Sequence, residues 1–248
     1  MQLFSTLSPI ACLLIQQTSS LLIPNPGLQN APGMIENHGD IVYCGNIDEV
    51  AFKTTGDPED GPGFWITNQD DDPDVMYFLY ENSRDEHAWK YLSLPQGSRA
   101  FVQVCPTWQG RVVRGIPRIN TDNTPHNLGT WFKSSIDPAL GWMWGDISFL
   151  EGCDGGGRVS STDTDGSNTT RSCMIDLLTD APPAALVKKD SGNMVIAKTV
   201  GVGANDDARG YETGMCSPDE VWIDVANTHP VIKSMNGRLE FVFYKGRA

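Results

Sequence analysis

The chain has 248 residues, of which 40% are hydrophobic and 20% charged, a composition typical of globular domains that bury a sizeable core. Its formal net charge is −13, whereas proteins that hold a phosphate backbone need surplus lysine and arginine. Composition and charge therefore exclude a disordered chain and argue against a nucleic-acid partner.

Residues 1–20 resemble a secretory signal. They carry no charge, and the apolar stretch Ile10–Ile15 is followed by the small residues Thr18 and Ser20. The stretch is far shorter than the ~20 apolar residues that a membrane span needs, and no other segment is long enough. We predict a signal peptide over 1–20 and a secreted, extracellular protein with no membrane partner. A disordered or membrane-associated N-terminus is the alternative.

The segment 21–38 is rich in Pro, Gly and Asn and lacks hydrophobic periodicity, which predicts a loose N-terminal arm. Over residues 39–248, segments rich in β-branched and aromatic residues alternate with clusters of Gly, Pro, Asn and Asp. This pattern predicts one all-β domain, an antiparallel β-sandwich or flattened barrel with long disulfide-stapled loops. The strand candidates are DIVYCG, EVAFKT, VMYFLY, WKYLSL, RAFVQV, GRVVRG, GTWFKS, GDISFL, CMIDLL, MVIAKTV, EVWIDVA and RLEFVFY.

Helical signals are few. A short helix is expected at Pro182–Lys189, where apolar residues lie between Asp180 and Gly192. The segment GVGAND has Asp206 where the last glycine of a dinucleotide-binding loop belongs, and no helical pattern follows it. We predict a turn there and no nucleotide cofactor.

The clearest hairpin signal lies near the C-terminus. Asn236 and Gly237 tolerate positive φ, as a two-residue hairpin turn requires. The segment RLEFVFY then alternates and places Leu239, Phe241 and Phe243 on one face. The pattern predicts a hairpin whose second strand faces the core through these three residues.

Removal of residues 1–20 leaves five cysteines, so at most two disulfides form and one thiol stays free or bonds another chain. We predict a disulfide between Cys153 and Cys173, because the segment between them is too polar to be fixed by a core. Asn168 begins the sequon Asn-Thr-Thr, which predicts glycosylation of an exposed loop.

No motif predicts a metal or cofactor site. The four histidines lack a second histidine at ligand spacing, and the usual hydrolase signatures are missing. The segment STDTDGSN places Asp163 and Asp165 like the middle of a calcium-binding EF-hand loop, but it lacks that loop's first and last ligands. We therefore expect no metal and no cofactor.

Asp146 and Glu151 stand five positions apart in the segment WGDISFLEGC. Glycoside hydrolases use two carboxyl groups about 5 to 9 Å apart, one protonated and one ionised. An odd spacing in a regular strand places side chains on opposite faces. The pair converges only if the strand ends or bulges near Glu151, where Gly152 allows a turn. The alternative is a plain strand bounded by acidic residues.

Three segments resemble the thaumatin-like (osmotin-like) secreted proteins, in that family's order. LSLPQGSRAFVQV followed by QGRVVRG resembles its strand, Pro/Gly turn and Gly-Arg strand before a second Arg. WGDISFLEGCDGG is similar to its Tyr-Asp-Val-Ser-Leu-Val-Asp-Gly segment, with Glu151 at the second Asp. CSPDEVWIDVANTHP is similar to its Cys-Pro-x-x-Tyr-Ser-Tyr segment, with Trp222 as the aromatic residue. The resemblance covers residues 39–245.

The resemblance implies an all-β sandwich with an acidic cleft lined by one Arg, one Glu and three Asp. Asp146 and Glu151 match the two central acids and are the candidate catalytic pair. Arg111 or Arg114 matches the basic residue, and both are candidate ligand-binding residues.

The last acid of the cleft is Asp219 or Asp224, and we expect Asp224 to bind ligand together with Trp144. The family's Glu falls near Lys133, where this chain carries a cation. The family's many cysteines are also mostly missing. Both departures put a glucanase activity in doubt.

We expect a monomeric protein that binds cell-wall polysaccharide, a β-glucan, in an acidic cleft. Exposed aromatic residues such as Trp131, Trp142 and Trp144 would cover the apolar sugar surface. One alternative is an endo-β-1,3-glucanase that uses the paired carboxylates. The other is a secreted effector or interaction protein whose target is a host protein.

Overall fold

Short strands are the main regular structure in the computed structural model, which describes residues 36–38, 41–44, 51–53, 56–73, 75–81, 88–116, 128–165, 168–226 and 229–248. The signal peptide predicted over 1–20 lies outside the described residues, and the last three residues of the predicted arm form the first strand. The strands are β1 (Glu36–His38), β2 (Ile41–Tyr43), β3 (Ala51–Lys53), β4 (Gly63–Gln69), β5 (Met76–Glu81), β6 (Lys90–Ser93), β7 (Arg99–Gln103), β8 (Gln109–Gly115), β9 (Trp131–Ile136), β10 (Met143–Ser148), β11 (Gly156–Ser161), β12 (Thr170–Cys173), β13 (Leu186–Lys188), β14 (Met194–Ile196), β15 (Ile232–Ser234) and β16 (Arg238–Tyr244).

The strands form two large sheets. One has seven strands in the order β15-β10-β9-β8-β5-β6-β3, and the other has five in the order β12-β11-β16-β4-β7. The described strands pair antiparallel except for β4 with β16 and β3 with β6, which are parallel. Two small sheets of two strands each pair β1 with β2 and β13 with β14. The prediction of an all-β, mainly antiparallel sandwich is confirmed.

The two large sheets meet through aromatic side chains. The ring centroid of Phe132 on β9 lies 4.4 Å from that of Phe243 and 5.1 Å from that of Phe241, both on β16. Tyr77 of β5 approaches Phe243 at 4.4 Å. Leu239 is fully buried along with both phenylalanines of β16, so the predicted alternation of this strand is confirmed. Full burial of one such side chain contributes roughly 1.5–3 kcal/mol.

The predicted C-terminal hairpin is wrong, although its turn is present. Gly237 has a φ of +73°, as the turn requires. However, β15 pairs with β10, whereas β16 pairs with β11 and β4 of the other sheet. The turn therefore carries the chain from one sheet to the other. The carboxylate of Asp163 accepts hydrogen bonds from the N–H groups of Met235 and Asn236 at 3.0 and 2.9 Å, so this candidate calcium ligand caps the turn.

A helix follows the segment GVGAND, where none was expected. Helix α1 (Asp206–Met215) is capped at its N-terminus by Asn205, whose side chain accepts a hydrogen bond from the N–H of Ala208 at 2.9 Å. Only Ala208 and Glu212 of α1 are buried, so the helix has no apolar stripe from which to recognise it. Within the part of the chain that the structure describes, no helix is long and apolar enough to cross a membrane.

The helix predicted at Pro182–Lys189 is wrong. Pro183–Ala185 form a single 3₁₀ turn, and the chain continues into β13, which pairs with β14. The strands β4 and β11 were not expected, because their glycines and polar residues obscure the pattern. The predicted strand EVWIDVA instead makes one bridge, between Trp222 and Ser148.

The predicted disulfide between Cys153 and Cys173 is also wrong. Cys173 bonds Cys216, Cys44 bonds Cys105, and Cys153 is a free, fully buried thiol. The polar segment after Cys153 needs no disulfide to close it, because β11 and β12 pair across its loop. Strand pairing therefore holds the ends of this loop together, which is the role that the predicted disulfide would have had.

Candidate functional site

A row of charged side chains crosses the seven-stranded sheet. Asp146 of β10 lies opposite Lys133 of β9, and Lys133 lies opposite Arg111 of β8. The sequence neighbours Ile147 and Phe132 belong to the core between the sheets. Since side chains alternate along a strand, the charged row lies on the other side of the sheet. We call this side, which faces away from the five-stranded sheet, the outer face.

Half of the outer face is covered. Phe78, Tyr80 and Val113 on β5 and β8 are fully buried in a second apolar cluster, and Trp131 packs against it. Arg111 belongs to this half and is only 2% exposed. Its guanidinium lies 4.7 Å from the ring centroid of Tyr80 and 4.2 Å from that of Trp131. Arg111, a predicted ligand-binding residue, is therefore enclosed by aromatic rings.

The other half, over β9, β10 and β15, is open. Trp144 is 40% exposed and lies opposite Lys233 of β15. The Nζ of Lys233 is 4.2 Å from the ring centroid of Trp142 and 5.8 Å from that of Trp144. Because Asp146 follows Trp144 by two positions on β10, it projects from the same side. The open half thus combines tryptophans, a lysine and a predicted acid.

Trp222 completes this half of the outer face. It makes a parallel bridge to Ser148, in which its N–H donates to Ile147 at 2.9 Å and its carbonyl accepts from Phe149 at 2.8 Å. The Nζ of Lys133 lies 5.5 Å from the Trp222 ring centroid. We call the following six residues the open aromatic face: Lys133, Trp142, Trp144, Asp146, Trp222 and Lys233.

Asp146 is the acid of the open aromatic face. Its Oδ1 lies 3.1 Å from the Nζ of Lys133, and the two side chains are 15% and 34% exposed. Burial raises the pKa of Asp146 to about 6, and the neighbouring Lys133 ammonium opposes that rise. A carboxyl group with this pKa changes its protonation state in mildly acidic solution, so it can accept or donate hydrogen bonds.

Glu151 and Asp224 are the other two predicted acids of the site. Glu151 lies on the turn after β10, and among the described residues no hydrogen bond or ion pair connects its carboxylate with Asp146. The carboxylate of Asp224 pairs with Arg209 of α1 at 3.3 Å. Of the predicted acidic and aromatic site residues, Asp146 and Trp144 project from the same side of β10, whereas Asp224 pairs with a residue of α1.

Arg114 lies on the inner side of the sheet and is fully buried. It donates through Nε to Asp70 at 2.8 Å, through Nη1 to Asp154 at 2.8 Å and through Nη2 to the carbonyl of Gly156 at 2.9 Å. Lys189 donates to the other carboxylate oxygen of Asp154 at 2.8 Å. We call Asp70, Arg114, Asp154 and Lys189 the buried ion cluster. Arg114, the other predicted ligand-binding arginine, ties the two sheets together instead.

Two further residues of the site were not predicted as such. Lys233 and Trp222 reach β10 from segments far along the chain, so no local spacing signals their role. Lys133 was visible in the sequence only as a cation where an acid was expected.

Asn168 is exposed in the loop between β11 and β12, and its glycosylation stays a prediction.

The sequence was compared with models of protein families and with curated proteins. No family model matches the chain, and no curated protein matches it. The thaumatin-like resemblance stays a prediction from three short segments. The function of the open aromatic face therefore has to be inferred from its geometry.

Proposed function

We propose that the protein is secreted and binds cell-wall carbohydrate, a β-glucan, on the open aromatic face. The observation that carries this proposal is the arrangement of Trp144 and Trp222 around the ion pair of Lys133 with Asp146. Indole rings pack on the apolar faces of sugar rings. A carboxylate accepts hydrogen bonds from sugar hydroxyls, and an ammonium group donates to them.

The shape of the surface favours a polymer over a small molecule. Trp144 is exposed on a sheet face, and Trp142 with Lys233 extends that surface toward the edge strand β15. A polysaccharide chain lying along the sheet would contact several rings in succession. The net charge of −13 disfavours an acidic polymer, so a neutral glucan is the better candidate.

The disulfides support the secreted part of the proposal. Disulfides persist mainly in oxidising compartments and outside the cell. The structure contains Cys44–Cys105 and Cys173–Cys216, which close two long segments of the chain. An exported protein is the simplest setting for both bonds.

Sedimentation with insoluble β-1,3-glucan tests the proposal. Replacement of one stacking ring, by Trp144→Ala or Trp222→Ala, should weaken binding about tenfold, which corresponds to about 1.4 kcal/mol. Trp65→Ala is the matched control, since Trp65 lies on the other sheet with the Arg99 guanidinium 4.0 Å from its ring centroid. Full affinity of both open-face variants would refute the proposal, as would failure of the wild type to bind glucan, chitin or mannan.

One observation favours a second candidate, the endo-β-1,3-glucanase. The pKa of Asp146, about 6, is suitable for a general acid. In that case the wild type releases oligosaccharides from laminarin, whereas Asp146→Asn and Glu151→Gln bind the polymer and release none. Binding without release supports the non-enzymatic function. A protein captured from host extract by a wild type that binds no glycan points to the effector alternative.

A further inference from the structure

The buried ion cluster holds an amine beside a carboxyl group. The Nζ of Lys189 is 2.8 Å from Oδ2 of Asp154, and the two side chains are 1% and 0% exposed. We propose that Lys189 and Asp154 condense into an intramolecular isopeptide bond, an amide between Nζ and Cγ, with release of one water molecule. The reaction needs no oxidant, cofactor or partner, and it is independent of carbohydrate binding.

The two oxygens of Asp154 have different neighbours. Oδ1 accepts hydrogen bonds from Nη1 of Arg114 at 2.8 Å and from the N–H of Thr130 at 3.0 Å. Two donors would therefore stabilise negative charge on Oδ1 while the carboxyl carbon is tetrahedral. Oδ2 accepts a hydrogen bond from the Nζ of Lys189, which is the attacking nitrogen. A nitrogen bonded in this way lies about 3.5 Å from the carboxyl carbon, close to the range for attack.

The atoms balance without an external reagent. The Lys189 ammonium gives one proton to Oδ2 of Asp154, which leaves a neutral amine facing a neutral carboxylic acid. The nitrogen lone pair attacks Cγ, the N–C bond forms, and the carbonyl electron pair moves to Oδ1. The nitrogen then passes a second proton to Oδ2, the C–Oδ2 bond breaks, and Oδ2 leaves as water. Oδ1 becomes the oxygen of the amide.

The electrostatics of the cluster favour this condensation. It consumes one cation and one anion, and Arg114 keeps its ion pair with Asp70 at 2.8 Å, so the remaining site is neutral. Each buried ion costs several kcal/mol to desolvate, so removal of a charged pair relieves part of that cost. Burial lowers the pKa of the Lys189 ammonium, which favours the amine that attacks.

The bond would add a covalent cross-link between two parts of the chain that are already in contact through the bridge of Cys153 with Ile196 on β14. Asp154 lies between β10 and β11, and Lys189 follows β13 directly. The cross-link would add to the Cys173–Cys216 disulfide in restraining the same C-terminal third of the chain. Unlike the disulfide, it would survive reduction.

Peptide mass spectrometry of the reduced, alkylated and digested full-length protein tests the proposal. The expected result is one branched species in which the peptides containing Asp154 and Lys189 are joined, lighter than their sum by one water. Lys189→Arg is the matched control, since it keeps the cation and cannot form the bond, and its two peptides should appear separately. Recovery of the wild-type peptides separately at full mass, as the main species, would overturn the proposal even if the variant failed to fold.

Discussion

Lys133 Nζ and Asp146 Oδ1 lie 3.1 Å apart on neighbouring strands of the outer face, and both side chains are partly exposed. Burial and the ammonium group act on the carboxyl group in opposite directions. Burial is the larger effect, so the pKa of Asp146 lies above its ordinary value. The protonation state of the open aromatic face therefore depends on a single cross-strand pair.

Removal of the cation should raise the pKa of Asp146 further. In Lys133→Met the burial remains, whereas the opposing charge is lost, so the carboxyl group should titrate above its present pKa of about 6. Carbon-detected NMR of the side-chain carboxyl resonance measures this directly. Lys233→Met is the control, because Lys233 lies opposite Trp144 instead of Asp146. An unchanged or lower Asp146 pKa in Lys133→Met would contradict the structure.

Glu212 should make the protein less stable as the pH rises. Its carboxyl group is fully buried on α1, and neither oxygen has a hydrogen-bond partner among the described residues. Burial raises its pKa well above the ordinary value of 4.5. The folded state thus binds this proton more tightly than the unfolded state. The resulting stabilisation is fully present below pH 4.5 and is lost as the pH rises toward the folded-state pKa.

Glu212→Gln removes this titration. The difference in unfolding free energy between the variant and the wild type should therefore grow in the variant's favour from pH 4 to pH 8. Subtraction of the two curves cancels the contribution of Asp146, which both proteins share. Thr213→Ala, at an exposed position of the same helix, should give a difference that does not vary with pH. A constant difference for Glu212→Gln would show that the carboxyl group is not held protonated.

Loss of Arg114 should be among the most damaging single substitutions. Arg114→Met leaves the buried Asp70 carboxylate without its ion pair and removes the guanidinium donor to the Gly156 carbonyl. Breaking a buried pair in this way costs about 3–5 kcal/mol. Arg99→Met is the matched control, because Arg99 is 53% exposed and lies 3.7 Å from Glu240, and such a surface pair contributes at most about 1 kcal/mol. Urea denaturation should separate the two variants clearly, and similar midpoints would show that the cluster contributes little.

The alternation of apolar and polar residues in the sequence is sufficient to predict some features of the fold. The alternation of RLEFVFY predicts which side chains of β16 face the core, because a period of two depends only on neighbours in sequence. Likewise, Trp144 and Asp146 are two positions apart on one strand, so the same period places both side chains on one side of β10. The all-β class and the core-facing side of β16 follow from such short-range information.

Long-range pairing could not be predicted in the same way. The turn at Asn236–Gly237 looks like a hairpin, yet its flanking strands join different sheets. Trp222 contacts β10 through one bridge that no spacing reveals. The buried ion cluster joins Arg114 and Lys189 through Asp154, and only the folded chain brings these three distant segments together. These contacts depend on which strand edges meet, a property of the whole fold.

The free thiol and the two disulfides should differ in their reactivity. Cys153 is fully buried, and burial raises the pKa of its thiol, so it should resist alkylation in the folded protein. In denaturant without reductant, Cys153 should be labelled, whereas peptides containing Cys173 and Cys216 should remain linked to each other. Cys153→Ala should leave that linkage intact, while Cys173→Ala should cost about 2–5 kcal/mol and expose a reactive Cys216. A Cys153–Cys173 peptide, or labelling of Cys153 before unfolding, would contradict the buried free thiol.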